Sequence, residues 1–120
     1  LNGGWNPTAI FASNDDMAAA TVAMAHRKGL DVPGDIAIVG FDDTPLATTV
    51  WPELTTVRQP IAEMARQAVV LLLEQIRRKR SGAPQHVVHK LLEFTLVERE
   101  SSAPVAAKAH ARKRGAPAKA

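Results

Sequence analysis

The chain has 120 residues, 46% of them apolar, no cysteine and a formal net charge of +3. That length supports one domain with a modest core, and the lack of thiols excludes a disulfide framework and thiolate metal centres. No segment approaches the roughly 18 consecutive apolar residues that span a bilayer, and Leu1 to Thr8 shows no basic stretch followed by an apolar one.

The chain opens on Leu1 rather than Met, with Asn2-Gly3-Gly4 reading like the end and C-cap of an earlier helix. It is therefore expected to be the carboxyl-terminal part of a longer protein. Thr8 to Ala12 is a short apolar run bounded by Pro7 and by Ser13-Asn14-Asp15-Asp16, which predicts a buried strand ending in a polar turn. Asn14 or Asp15 can cap the helix predicted next, where Met17, Ala20, Thr21, Met24 and Ala25 recur at helical spacing and Gly29 follows as the C′ residue. Ile36 to Val39 is apolar at every position, the pattern of a strand covered on both faces, and it breaks into Gly40-Phe41-Asp42-Asp43. Strand, helix and strand form a right-handed parallel unit, so the tips bearing Asn14 and Asp42 point the same way. Open α/β sheets bind ligands at such tips.

Thr44 to Leu54 reads as a long irregular loop, and Thr55 to Arg58 as a short strand. Pro60, as the first helical residue, opens the strongest helical signal: Ile61, Met64, Ala65, Ala68, Val69, Leu72, Leu73 and Ile76 fall on one stripe, closed by Arg77-Arg78-Lys79-Arg80. His86 to Leu92 and Phe94 to Arg99 are β-like, the second more exposed. From Ser101 onward five basic residues stand without an acid, in an Ala/Lys/Pro-rich composition that predicts a disordered basic tail over residues 101–120. Such a tail is a solvated end or adds nonspecific phosphate affinity.

Few chemical constellations are available. Asp42 and Asp43 are adjacent in a strand, so their side chains are expected on opposite faces, unsuited to a cooperating acid/base pair. Asp15-Asp16 with Asp42-Asp43 could hold a hard cation, although capping is the ordinary role of the first pair, and no metal or cofactor is expected. His26, His86, His89 and His110 have neither metal spacing nor a nucleophile motif. The run Arg77 to Arg80 reads as a solvated helix end favoured by the dipole, or as a nucleic-acid patch. Asn14 and Asp42 offer an amide and a carboxylate suited to a polyol, though Asn14 could simply cap its helix and Asp42 simply order its loop.

Four stretches, Pro7 to Asp15, Gly29 to Ile36, Val39 to Asp43 and Leu54 to Pro60, resemble in order and spacing the signatures of the LacI/GalR family of bacterial transcriptional repressors. The resemblance runs to about Ser102. It implies an α/β fold, a parallel sheet flanked by helices, as an incomplete two-lobed periplasmic-binding-protein-like effector domain over residues 1–100. Residues 8–56 and 94–100 would form the carboxyl-terminal lobe and 59–92 elements of the amino-terminal lobe. It implies Asn14, Asp42 and Gln59 as effector contacts, with Ile61 and Met64 on the pocket wall, and Ala19, Leu46, Val50 and Trp51 at a homodimer interface, unless Trp51 folds back on its own lobe.

The expected function is that of the effector-sensing and dimerisation part of a cytoplasmic, non-enzymatic repressor. It would respond to a small sugar-like ligand and reach operator DNA through a helix-turn-helix absent from this chain, with no membrane partner. The competing reading is a periplasmic sugar-binding protein of an ABC transporter. A hydrolase using Asp42 or Asp43 would lack a nucleophile, a base and a metal set.

Overall fold

The computed structural model describes residues 7–103. Pro7-Thr8 lead into strand β1 (Ala9–Phe11), and the chain then turns into helix α1 (Asp15–Arg27). The turn works because Asn14 is extended, with φ −155° and ψ 172°, and its Oδ1 accepts the Met17 amide at 2.8 Å. This satisfies one of the donors that every helix start leaves open. At the other end Gly29 adopts φ +72° and donates to the His26 carbonyl, the left-handed residue that closes a helix.

Strand β2 (Ala37–Phe41) follows and pairs parallel with β1, placing Phe11 beside Val39. The stretch after it is not wholly irregular, since Pro45–Thr48 winds into a single 3-10 turn. Strand β3 (Thr55–Arg58) lies parallel to β2, and β4 (Thr95–Val97) returns antiparallel on the far side of β3. The four-stranded order is therefore β1-β2-β3-β4.

Alternation along the strands decides what is buried. Ile38 and Gly40 point toward α1, whose Ala18, Val22 and Ala25 close over them together with Val32, Ile36, Ala47 and Leu54. Residues on the opposite face stay half-covered or open, Phe11 being 64% exposed. The expectation that β2 is covered on both faces therefore fails within this chain. Only one layer of helix packs on the sheet.

Helix α2 (Ile61–Arg80) forms where its periodicity requires, with Pro60 as the N-cap rather than the first helical residue. None of its residues is buried, and its stripe of Ile61, Met64, Val69, Leu72, Leu73 and Ile76 is open to solvent. The predicted strand over His86 to Leu92 does not form. A strand needs a neighbour to take its backbone hydrogen bonds, and none of the described strands lies alongside. These residues instead run back along α2, where Gln85 donates to the Gln75 carbonyl at 3.3 Å and Lys90 donates to Gln67. The predicted tail also begins too early. Ser101 is fully buried in a second 3-10 turn, Glu100–Ser102, with its hydroxyl donating to the Ile38 carbonyl at 2.5 Å. Residues 104–120, like the Asn2-Gly3-Gly4 cap, lie outside the described residues.

One buried carboxylate joins three of these elements. Asp15, in the first turn of α1, accepts the Thr56 hydroxyl of β3 at 2.6 Å and both the amide (2.7 Å) and hydroxyl (3.1 Å) of Thr44. Gly40 leaves room for it, because a Cβ there would come within 2.3 Å of Asp15 Oδ1 and 3.2 Å of the Ala18 methyl. Asp15→Ala is expected to cost about 3 kcal/mol or more, since it strands three donors at 1 to 3 kcal/mol each in part-buried positions. Gly40→Ala, by overpacking, should cost about 1 to 3 kcal/mol through the same contact. Urea melts of both variants check this, and parent-like midpoints would show that the carboxylate does not hold the strands.

Candidate functional site

Strand β2 ends at Phe41, and the two carboxylates leave it through unusual backbone: Asp42 has φ 104° and Asp43 φ 53°. Non-glycine residues rarely sit there, so surrounding contacts must hold the conformation. The Asp42 amide donates to the Val57 carbonyl at 2.9 Å, which continues the β2–β3 ladder one residue past the strand. Neighbouring strand tips then meet side chain to side chain. Asp42 Oδ1 accepts Gln59 Nε2 at 2.8 Å, and Asp43 Oδ2 accepts Arg58 Nε at 2.5 Å.

The two carboxylates serve different surroundings. Asp42 is exposed, and its partner Gln59 lines a crevice of about 490 Å³. Asp43 is only 8% exposed and also receives Arg99 Nη2 at 2.7 Å, while Arg99 Nη1 donates to the Leu54 carbonyl at 2.8 Å. Burial pushes the Asp43 pKa up, but the hydrogen bonds and positive charge of Arg99 and Arg58 outweigh it and hold the carboxyl below its ordinary value. Asp43 is thus a structural pin that joins the β2 tip to β3 and to the chain returning through β4.

The crevice lies on the sheet face that α1 leaves open. Its walls are Phe11, Phe41, Val57 and Phe94 from the strand ends, with Pro60 and Met64 from the start of α2 and Lys90 to Leu92 from the returning segment. Phe11 and Phe41 meet edge to face, ring centroids 6.4 Å apart at 86°. The walls are mostly apolar, and the polar groups at their edge are the Gln59 amide, with Asp42 bonded to it, and the Lys90 ammonium. That combination suits a small molecule with an apolar face and adjacent hydroxyls.

Of the expected effector contacts, the structure brings Asp42 and Gln59 together and places Gln59 and Met64 on the crevice wall. Asn14 is the cap of α1 and lies outside the lining, its amide nitrogen unused by that cap. Ile61 is 58% exposed and is not among the residues that line the crevice. The aromatic wall was missed by motif reading, although period-two alternation puts Phe11, Phe41 and Val57 on one face once the register is known. Arg99 carried no signal, because its partner Asp43 is 56 residues away. The four carboxylates considered for a cation are not gathered. Asp15 is committed to threonines and Asp43 to arginines, and no group of three or more potential ligands occurs among the described residues.

On the outer side, Trp51 is 72% exposed and tilts over His26 of α1, ring centroids 5.8 Å apart. Leu46 is half-buried, and Ala19 and Val50 pack partly against the core.

Because the folded-state pKa of Asp43 is depressed, its contribution to stability is complete above the unfolded value of about 3.9 and is lost as pH falls through the folded value. Asp43→Asn should therefore destabilise the chain by about 1 to 3 kcal/mol at neutral pH. It should also flatten the decline in stability below about pH 4. Thermal melts across pH check both. An equal acid slope in parent and variant would mean that the arginines do not select the ionised form.

Residues 1–102 match the family described as the periplasmic binding protein-like domain. Over 96 residues the chain is 38% identical to the HTH-type transcriptional repressor CytR of Escherichia coli K12, covering 80% of this chain and 27% of that one. The fold is similar to a solved structure from Sanguibacter keddieii, described as a transcriptional regulator of the LacI family. The TM-score is 0.75 and the identity 38%, covering 86% of this chain and 37% of the other. It is also similar to the transcriptional regulator CelR in complex with cellobiose, with a TM-score of 0.70 and 35% identity over 80% of this chain and 28% of that one. The chain thus spans little more than a quarter of the curated relative's length. No described helix is long and apolar enough to cross a membrane. Four motifs in order, a parallel sheet with its carboxylate tip, and a family match over nearly every described residue converge: the chain belongs to the periplasmic binding protein-like domain family, in the form carried by LacI/GalR regulators.

Proposed function

We propose that this chain is the effector-sensing part of a cytoplasmic, DNA-binding transcriptional repressor that responds to a small sugar-like molecule and has no catalytic activity of its own. The observation that carries this reading is the Asp42–Gln59 pair on the rim of the phenylalanine-walled crevice. A carboxylate accepts two adjacent hydroxyls, an amide donates and accepts, and a ring face buries the apolar side of a pyranose. The cellobiose held by CelR supports a saccharide as the ligand class. Relatives described as transcriptional repressors favour this reading over a transporter's binding protein.

The crevice is lined by both the sheet and the segment from Gln59 through Leu92, which supports assigning residues 59–92 to one lobe and the sheet to the other. A ligand that touches both sides favours one relative arrangement, and the population shift passes to a DNA-binding element. Dimerisation is assigned to the outer surface of α1 and the 3-10 turn, through Trp51 and Leu46, with Ala19 and Val50 supporting them from below.

In the full-length regulator, isothermal titration with a panel of mono- and disaccharides tests the site. Losing two charge-assisted hydrogen bonds at ~1.5 to 3 kcal/mol each, Asp42→Ala should bind two to four decades more weakly, and Asp42→Asn less so. Affinity within threefold of the parent in Asp42→Ala would show that Asp42 only orders its loop. For the interface, Trp51→Glu should shift sedimentation toward the monomer while leaving saccharide affinity in place, and an unmoved dimer would remove Trp51 from it.

A further inference from the structure

The crevice and its rim leave unused the most strongly charged part of the molecule. Residues 75–89, short of the crevice wall, contain four Lys or Arg side chains and two histidines without a single carboxylate. Arg77, Arg78, Lys79 and Arg80 occupy the last turn of α2. Consecutive residues are about 100° apart around a helix, so the four cations encircle its tip. The returning segment adds to them: the Arg78 Nη1 lies 3.3 Å from His86 Nδ1, and Lys90 sits farther down the same side.

The helix dipole does not account for this charge. It amounts to about half a negative charge at the C-terminus, which one cation satisfies. Arg78 is drawn to Glu74 at 3.4 Å, whereas Arg77, Lys79 and Arg80 have no ion pair among the described residues. Like charges packed into one turn repel, at a few tenths of a kcal/mol per pair. An excess of this kind fits a polyanion, and guanidinium forks suit phosphate oxygens.

We infer that the basic tip of α2, Arg77 to Arg80, is a supplementary contact for the phosphate backbone of duplex DNA, reading no sequence. The inference rests on the repressor reading, which brings a duplex to the same molecule, so that even a weak contact gains from high local concentration. Three features select a duplex backbone over other polyanions. No Phe, Trp or Tyr occurs between Ile61 and Glu93, so there is no platform on which single-stranded bases could stack. The cations without an ion pair are confined to the final turn, whereas a helix lying on a membrane spreads them along its polar face, and the polar side of α2 before Arg77 carries Gln67, Glu74, Gln75 and Arg66, the last paired with Glu63. Finally, α2 leaves the sheet at Pro60 and runs about 30 Å, so its tip stands clear of the effector crevice and the two can be occupied together.

Fluorescence anisotropy of the 120-residue chain with a random-sequence duplex, between about 50 and 200 mM salt, tests the inference. The variant R77Q/K79Q/R80Q keeps good helix formers and leaves the Arg78–Glu74 pair in place. Three phosphate contacts predict that its log K against log salt slope is shallower by about 2 to 3, and its affinity at the lowest salt weaker by at least about tenfold. The charge-keeping R77K/R80K should behave like the parent, and circular dichroism should report unchanged helicity. The same loss must appear when Lys108, Arg112, Lys113, Arg114 and Lys119 have first been replaced by glutamine. A parent-like slope in R77Q/K79Q/R80Q, loss only through those later residues, or a larger effect on phosphatidylserine vesicles than on duplex would each overturn the inference. None of these results bears on the saccharide titration of Asp42, so the effector reading stands or falls separately.

Discussion

Asp15 is a carboxylate with no access to solvent, surrounded by donors from two threonines, and the candidate site is arranged around it. Its place in the first turn of α1 sets it at the positive end of the helix dipole, and the threonines supply the hydrogen bonds that water would otherwise provide. The cost of burying such a group is offset only when each partner is held at hydrogen-bonding distance. This constraint fixes where the segment after β2 crosses above β3. Asp42 lies in that crossing, two residues before Thr44.

A second polar junction ties the end of the described chain to its middle. Ser101 accepts the Thr55 amide at 2.9 Å and donates to the Ile38 carbonyl, so a single hydroxyl spans β2 and β3. Thr55 Oγ1 exchanges hydrogen bonds with the backbone of Arg99 and receives Ser102. Arg99 then reaches Asp43. A strand as short as β4, three residues, is weakly held by its ladder alone. These side chains anchor it from its far end.

The α2 arm contrasts with this. Its apolar stripe is open, and it meets the sheet through the two crossings, near Gln59 and near Glu93. Apolar side chains of this size gain roughly 1.5 to 3 kcal/mol each when buried. The bare stripe and the bare phenylalanine face of the sheet therefore both have much to gain from cover. The crevice lies on the phenylalanine face, where Met64 is the one residue of the stripe that joins its wall, and it suits a small molecule because that wall is largely apolar.

Local sequence determined a good deal. The capping of α1 by Asn14, the exit through Gly29, the four residues of β3 and the extent of α2 all follow from side chains that act on their own backbone within a turn or two. The motif order that resembles LacI/GalR regulators is also a property of the chain read as a line. Tertiary structure decided the rest, because it depends on partners far apart in sequence. Whether Asn14 or Asp15 would cap was open until the threonines of the Thr44 loop and β3 claimed the carboxylate. Asp43 looked like a lesser neighbour of Asp42 and is instead pinned by arginines 15 and 56 residues away. His86 to Leu92 had the composition of a strand, but a strand exists only beside another, and none of the described strands flanks it. Which face of β2 was covered could not be read from an unbroken apolar run, since that run states only that burial is favourable. The layer that arrives to bury it is set by the rest of the fold.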